Sequence, residues 1–124
     1  MTESYLDQYY RDNHSDHYYR DLGDLNIVNF SNNAGHILES FIDGYNEFVL
    51  MNSCGSDMED IERKYEELEE EYNNANHYFM HLDYYPQYEH LDTYQWTIEW
   101  HGRLNHTHRK LKRLIKKIRE NLII

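Results

Sequence analysis

The sequence predicts an all-α fold: a long antiparallel helical hairpin (about 57–84 and 93–122) with a packed N-terminal helical part. Three observations predict it. First, Met58, Ile61, Tyr65, Leu68, Tyr72, Ala75, Phe79 and Leu82 alternate steps of three and four without a break, the seam spacing of a helix that packs lengthwise on another helix. Second, Tyr94, Thr97, His101, Leu104, His108, Leu111, Ile115, Ile118 and Leu122 keep the same alternation. Third, folding the chain about Tyr88 brings the two seams into register, with Tyr72 facing Leu104, Leu68 facing His108, Tyr65 facing Leu111, Ile61 facing Ile115 and Met58 facing Ile118.

The elements follow in chain order. Apolar pairs Tyr5/Leu6, Tyr9/Tyr10 and Tyr18/Tyr19 with Leu22 suggest two short helices over 1–23, with Ser15 as an N-cap and Gly23 as a stop. The stretch Leu25–Phe30 reads either as extended chain or as a loop that drops apolar groups into the core. Residues 33–51 read as a helix, because Ala34, Ile37/Leu38, Phe41/Ile42, Tyr45 and Phe48/Val49 form one wide apolar stripe. Asn32 and Asn33 are placed to cap it, and Asn52-Ser53-Cys54-Gly55 to end it. Ser56-Asp57-Met58-Glu59 has the form of a capping box opening the first hairpin helix. Tyr84-Tyr85-Pro86-Gln87-Tyr88 closes that helix, since the residue before a proline is pushed out of the helical region. The second begins near Asp92 or Thr93. The five glycines are expected mostly where segments change.

At 124 residues the chain is read as one domain, 1–124, with an N-terminal helical part (1–55) and the hairpin (56–124). No apolar run approaches the ~20 residues that span a bilayer, and Met1-Thr2-Glu3-Ser4 lacks the basic start of a secretory signal. A single cysteine, Cys54, cannot form an internal disulfide. A cytoplasmic protein is therefore expected, with Cys54 a loop or core residue. The charge is large and segregated: residues 1–92 hold 21 acids against four bases, and residues 93–124 hold two acids against eight bases, for a net −11. In the expected register the basic tail Arg109–Arg119 lies along Glu59–Glu71, with Glu62, Glu69 and Glu71 flanking the seam. The two blocks should neutralise each other and set the helix order, which weighs against the tail binding nucleic acid directly.

Not every acid is consumed that way. Glu59, Asp60, Glu66, Glu67 and Glu70 point away from the seam over roughly 16 Å of helix, about one charge per 3.3 Å, close to the ~3.4 Å charge spacing of a nucleic-acid strand. Asp7, Asp12, Asp16, Asp21 and Asp24 add acids among tyrosines, of which the chain has 13. A solvated surface is the simplest account of such a face; a binding face for a basic partner is the alternative that its charge and aromatics suggest. His77 and His81 have the i, i+4 spacing of paired metal ligands, but His77 is followed by Tyr78 where the metalloprotease pattern needs glutamate. The pair falls outside the seam, and His14, His17 and His36 are the residues that could complete a site. His101 and His108 lie in the seam as core-edge histidines satisfied by a glutamate or tyrosine. Trp96 and Trp100 should pack against the 33–51 helix. No glycine-rich phosphate loop, nucleophile elbow, CxxC or paired catalytic carboxylate is present, so neither an enzyme nor a cofactor is expected.

In overall character, a short, strongly acidic, Tyr- and Asn-rich helical chain without catalytic motifs, the sequence resembles the phage-encoded anti-CRISPR and anti-restriction inhibitors, many of which imitate nucleic acid. The resemblance implies an inhibitor, a monomer or homodimer, that occupies the basic groove of a defence nuclease in a host cytoplasm. The charge left over after the hairpin pairs off, not the resemblance, points to Glu59, Asp60, Glu66, Glu67 and Glu70 with Asp7, Asp12, Asp16 and Asp21 as the contact residues. Two other readings stand beside it: a structural protein that self-associates through its helices, and a histidine-based metal-binding domain.

Overall fold

The computed structural model describes residues 25–84 and 86–121. They form three long helices, α1 (Leu25–Ser53), α2 (Met58–Met80) and α3 (Asp92–Asn121), with two short 3₁₀ turns, His81–Tyr84 and Pro86–Tyr88, between α2 and α3. The all-α expectation holds. The 1–23 helices and the aspartates Asp7, Asp12, Asp16 and Asp21 lie outside the described residues.

α1 starts eight residues earlier than the 33–51 reading. Ile27 and Val28 are buried, and the buried row continues through Ser31, Ala34, Leu38, Phe41 and Phe48, spaced as one helical face. The polar Ser31 interrupts the apolar signal, which is why the sequence left Leu25–Phe30 open. Its hydroxyl is satisfied across the core: Thr97 donates to the Thr93 carbonyl at 2.7 Å, so Ser31 donates to Thr97 Oγ1 at 2.5 Å. Asn32 and Asn33 are therefore interior helix residues, not caps. The C-terminus of α1 follows expectation. Gly55 takes φ +74°, its N–H bonds to the Asn52 carbonyl at 3.3 Å, and Ser56 N–H bonds to the Met51 carbonyl at 3.0 Å. That is a Schellman stop, and a side chain at position 55 would strain it.

The capping box does not form. Asp57, in extended backbone, is the N-cap of α2 and makes no side-chain cap bond. With Ser56 already tied into the end of α1, its hydroxyl sits one residue too early to cap α2. Glu59 and Asp60 still occupy the first turn, where negative charge suits the helix dipole.

The helices run up, down and up. α1 and α2 are antiparallel, since Glu47 meets Lys64, Ser40 meets Glu71 and Phe30 stacks on Tyr78 at 4.7 Å. α2 and α3 are antiparallel too, since Glu62 meets Arg119 and Asn76 meets His101. The hairpin is thus present, with its register displaced by up to about one turn: the Tyr72 hydroxyl donates to Asn105 at 2.6 Å and its ring stacks on His108 at 3.6 Å, where Leu104 was expected. α1 runs the length of both partners as the third member of a bundle, parallel to α3, and packs on each more extensively than they pack on one another. Trp96, Trp100, Phe41 and Leu38 share its core. Burial of each such side chain contributes on the order of 1.5–3 kcal/mol.

Gly35, Gly44 and Gly102 sit inside helices rather than at boundaries. Gly44 has a packing reason. A Cβ there would lie 2.7 Å from Leu68 Cδ2, and Leu68 is almost fully buried. The absence of a side chain lets α1 and α2 approach.

Candidate docking surface on the second helix

The contacts of α2 sort its residues around the helix by rows seven apart. The row Lys64, Glu71, Tyr78 faces α1, and the row Glu62, Glu69, Asn76 faces α3. Three rows remain on the outer arc. Glu59, Glu66, Asn73 and Met80 border the α3 side; Arg63, Glu70 and His77 lie in the middle; Asp60, Glu67 and Asn74 border the α1 side. All five acids expected on this face are on it, and Glu59, Glu66, Glu67 and Glu70 are exposed.

Two features modify the sequence reading. Arg63 stands inside the acidic face and is ion-paired with Asp60 one turn away, so Asp60 is not free charge. Glu59, Glu66, Glu67 and Glu70 form no ion pair among the described residues. Second, Glu67, Glu70 and Glu71 rim an open groove of about 650 Å³ between α1 and α2, floored by Ile37, Ala75 and Tyr78. The face is therefore acid above and apolar beneath. That groove required α1 to lie alongside α2, which the spacing of neither helix states alone.

The seam acids behave differently. Glu62 receives two hydrogen bonds from Arg119, which hold its carboxyl below the usual carboxylate range and raise the guanidinium in return. The guanidinium also lies over the Tyr65 ring, 5.2 Å from its centroid. Glu69 bonds His108 Nε2 at 2.7 Å. Burial first, then the nearby Glu69 carboxylate, pushes the Tyr65 and Tyr72 hydroxyls up. Glu71 accepts from Ser40 of α1 at 3.0 Å and does not reach the basic tail.

Mutual neutralisation of tail and α2 is correspondingly small. Arg119 of α3 pairs with Glu62 of α2. Arg109, Lys110, Lys112, Arg113 and Lys117 form no ion pair there, and Lys116 approaches Glu120 of its own helix at 3.9 Å. The cause is periodicity: the two rows of α3 that meet α2 hold His101, His108 and Ile115, and Asn105, Lys112 and Arg119, so most cations of the tail fall on other rows. Lys110, Arg113 and Lys117 turn to the α1 side, where they line a shallow groove with Tyr45 and Val49.

The histidines divide. His108 is held by Glu69 as expected, while His101 is bonded to Asn76 at 2.6 Å and stacked on Phe79. His77 and His81 meet edge to face at 4.8 Å, and no group of three or more His, Cys, Asp or Glu placed to hold a metal ion occurs among the described residues. Cys54 is exposed in the loop after α1. No helix among the described residues is long and apolar enough to cross a membrane. No protein-family model, curated protein or solved structure matches the chain.

Proposed function

We propose that the protein is a binding protein whose acidic α2 surface docks into the basic nucleic-acid groove of a nuclease complex and inhibits it. One observation carries this reading: Glu59, Glu66, Glu67 and Glu70 remain exposed and form no ion pair among the described residues, although eight lysines and arginines of the same chain stand on α3. Acids needed for the fold are used in the fold, and these are not. They extend over roughly 16 Å along α2, a length that matches several phosphates of one strand. The groove beside them adds apolar area, which charge alone would not provide to a specific interface. The Asp60–Arg63 pair lowers the local charge density, so the surface matches a phosphate strand less uniformly than a fully acidic face would.

The test uses purified CRISPR effector and restriction nucleases with a labelled duplex. The protein should displace the duplex competitively, with an apparent affinity that falls steeply as salt is raised. Simultaneous binding of duplex and protein by an inhibited nuclease would contradict groove occupancy.

A further inference from the structure

The two outer rows that flank the α2–α3 seam share one face of the bundle, turned away from α1. On α2 the row is Glu59, Glu66, Asn73, Met80. On α3 the outer of the two rows bonded to α2 is Ile98, Asn105, Lys112, Arg119, through Asn105 and Arg119, and the next row outward is Gly102, Arg109, Lys116. Because the helices are antiparallel, these rows place their chemistry in zones. At one end acids on α2 lie beside bases on α3. At the other end stand Met80 on α2 and Ile98 on α3, exposed at 52% and 46%. Between them are small neutral groups, among them Gly102, where an added Cβ would meet nothing within 4 Å.

We propose that this face is a self-association surface, occupied by a second copy of the chain related by a two-fold axis parallel to the helices. That axis sets α2 of each copy on α3 of the other at the same height. Glu59 and Glu66 then meet the partner copy's basic rows, its acids meet Arg109, Lys112 and Lys116, and Met80 meets Ile98 across the axis. The contact is the same on both copies and closes at two. An axis across the helices would instead set the apolar end on the charged end, leaving both unmatched. The available area is sufficient. α2 has 23 residues, about 35 Å of length, and two helices side by side are about 20 Å wide, so the face offers about 700 Å², near the ~800 Å² per partner of a standard interface. Gly102, between the charged zone and Ile98, permits close approach. The proposal does not depend on the nuclease reading, although Glu59 and Glu66 belong to both surfaces, so a dimer would cover part of the acidic face.

Sedimentation velocity of the full chain at low salt tests it. The expected result is twice the 15.3 kDa chain mass, reverting to the single mass for Gly102→Arg, whose helix content should be unchanged. Charge reversal gives an independent arm. Arg109→Glu/Lys112→Glu/Lys116→Glu carries acids on both helices and Glu59→Lys/Glu66→Lys carries bases on both, so each alone should be monomeric and an equimolar mixture should restore the dimer mass. A wild-type chain that stays monomeric at high concentration, a Gly102→Arg chain that still dimerises, or a mixture that stays monomeric would each overturn the proposal. A monomer whose Arg109, Lys112 and Lys116 shift a short DNA duplex would show the basic rows to be a nucleic-acid surface instead. Gly102→Arg should still bind any nuclease that the wild type inhibits, which separates failure of one reading from failure of the other.

Discussion

Arg119 holds Glu62 with two hydrogen bonds, Nε to Oε1 at 2.8 Å and Nη2 to Oε2 at 2.7 Å, and so fastens the last turns of α3 to the first turns of α2. Both side chains are partly exposed, 49% and 32%, so the pair contributes about 0.2–1 kcal/mol after solvent screening. Glu62 is held below its ordinary carboxylate value by this contact. A lowered pKa in the folded state means the contribution is present above the unfolded value and disappears as pH falls through the folded one. Urea midpoints should show Glu62→Gln less stable than wild type at neutral pH and equal to it at acid pH. A constant difference across that window would remove the ion pair from the account.

Gly44 and Gly102 should respond oppositely to alanine. At Gly102 nothing is within 4 Å of an added Cβ, so Gly102→Ala should stabilise by about 0.5–1 kcal/mol through helix propensity. At Gly44 the same gain is offset by crowding against buried Leu68, and overpacking costs about 1–3 kcal/mol. Gly44→Ala should lower the thermal midpoint, and Gly44→Ala with Leu68→Ala should show coupling in a double-mutant cycle.

The tail lysines should prove nearly silent for folding. Lys110, Arg113 and Lys117 face away from α2 and pair with nothing among the described residues, so reversing all three to glutamate should change stability by less than about 1 kcal/mol, with little salt dependence. A large loss, greatest at low salt, would mean that the neutralised-hairpin expectation was right after all.

That last contrast shows where the sequence is legible. Three–four alternation from Met58 to Leu82 and from Tyr94 to Ile118 reports which face of each helix is buried, and the structure buries Ile61, Leu68, Ala75, Phe79, Leu104, Leu111 and Ile115 on it. It does not report register, because neighbouring seam residues are chemically similar and a slip of a turn preserves the pattern; Tyr72 on His108 instead of Leu104 is that slip. Polar residues in buried positions hide helices, as Ser31 hid the first turns of α1, and its Thr97 partner lies 66 residues away. At the candidate surface the outward acids could be read from their offset to the seam. The groove beside them and the cations left unpaired on α3 depend on where α1 lies, which no local pattern encodes.

Alkaline titration probes the α2–α3 seam separately. Tyr65 and Tyr72 are raised above the ordinary phenol value, chiefly by burial, so folding holds their protons. Their contribution is fully present below the unfolded pKa and lost as pH rises through the folded one. Unfolding at high pH should begin before all tyrosinate absorbance has appeared, and Tyr72→Phe, which also loses the Asn105 bond, should weaken that pH dependence. An unchanged alkaline profile would mean Tyr72 is not held as described.

The most direct measurement of the central claim compares wild type with Glu59→Gln/Asp60→Gln/Glu66→Gln/Glu67→Gln/Glu70→Gln in a nuclease inhibition assay. None of the five side chains is in the core, so circular dichroism should show the same helix content and a similar melting temperature. The account predicts that a nuclease inhibited by the wild type is no longer inhibited by the variant, with the loss greatest at low salt. Inhibition retained at full strength by a folded variant would contradict it and place the contact elsewhere on the chain.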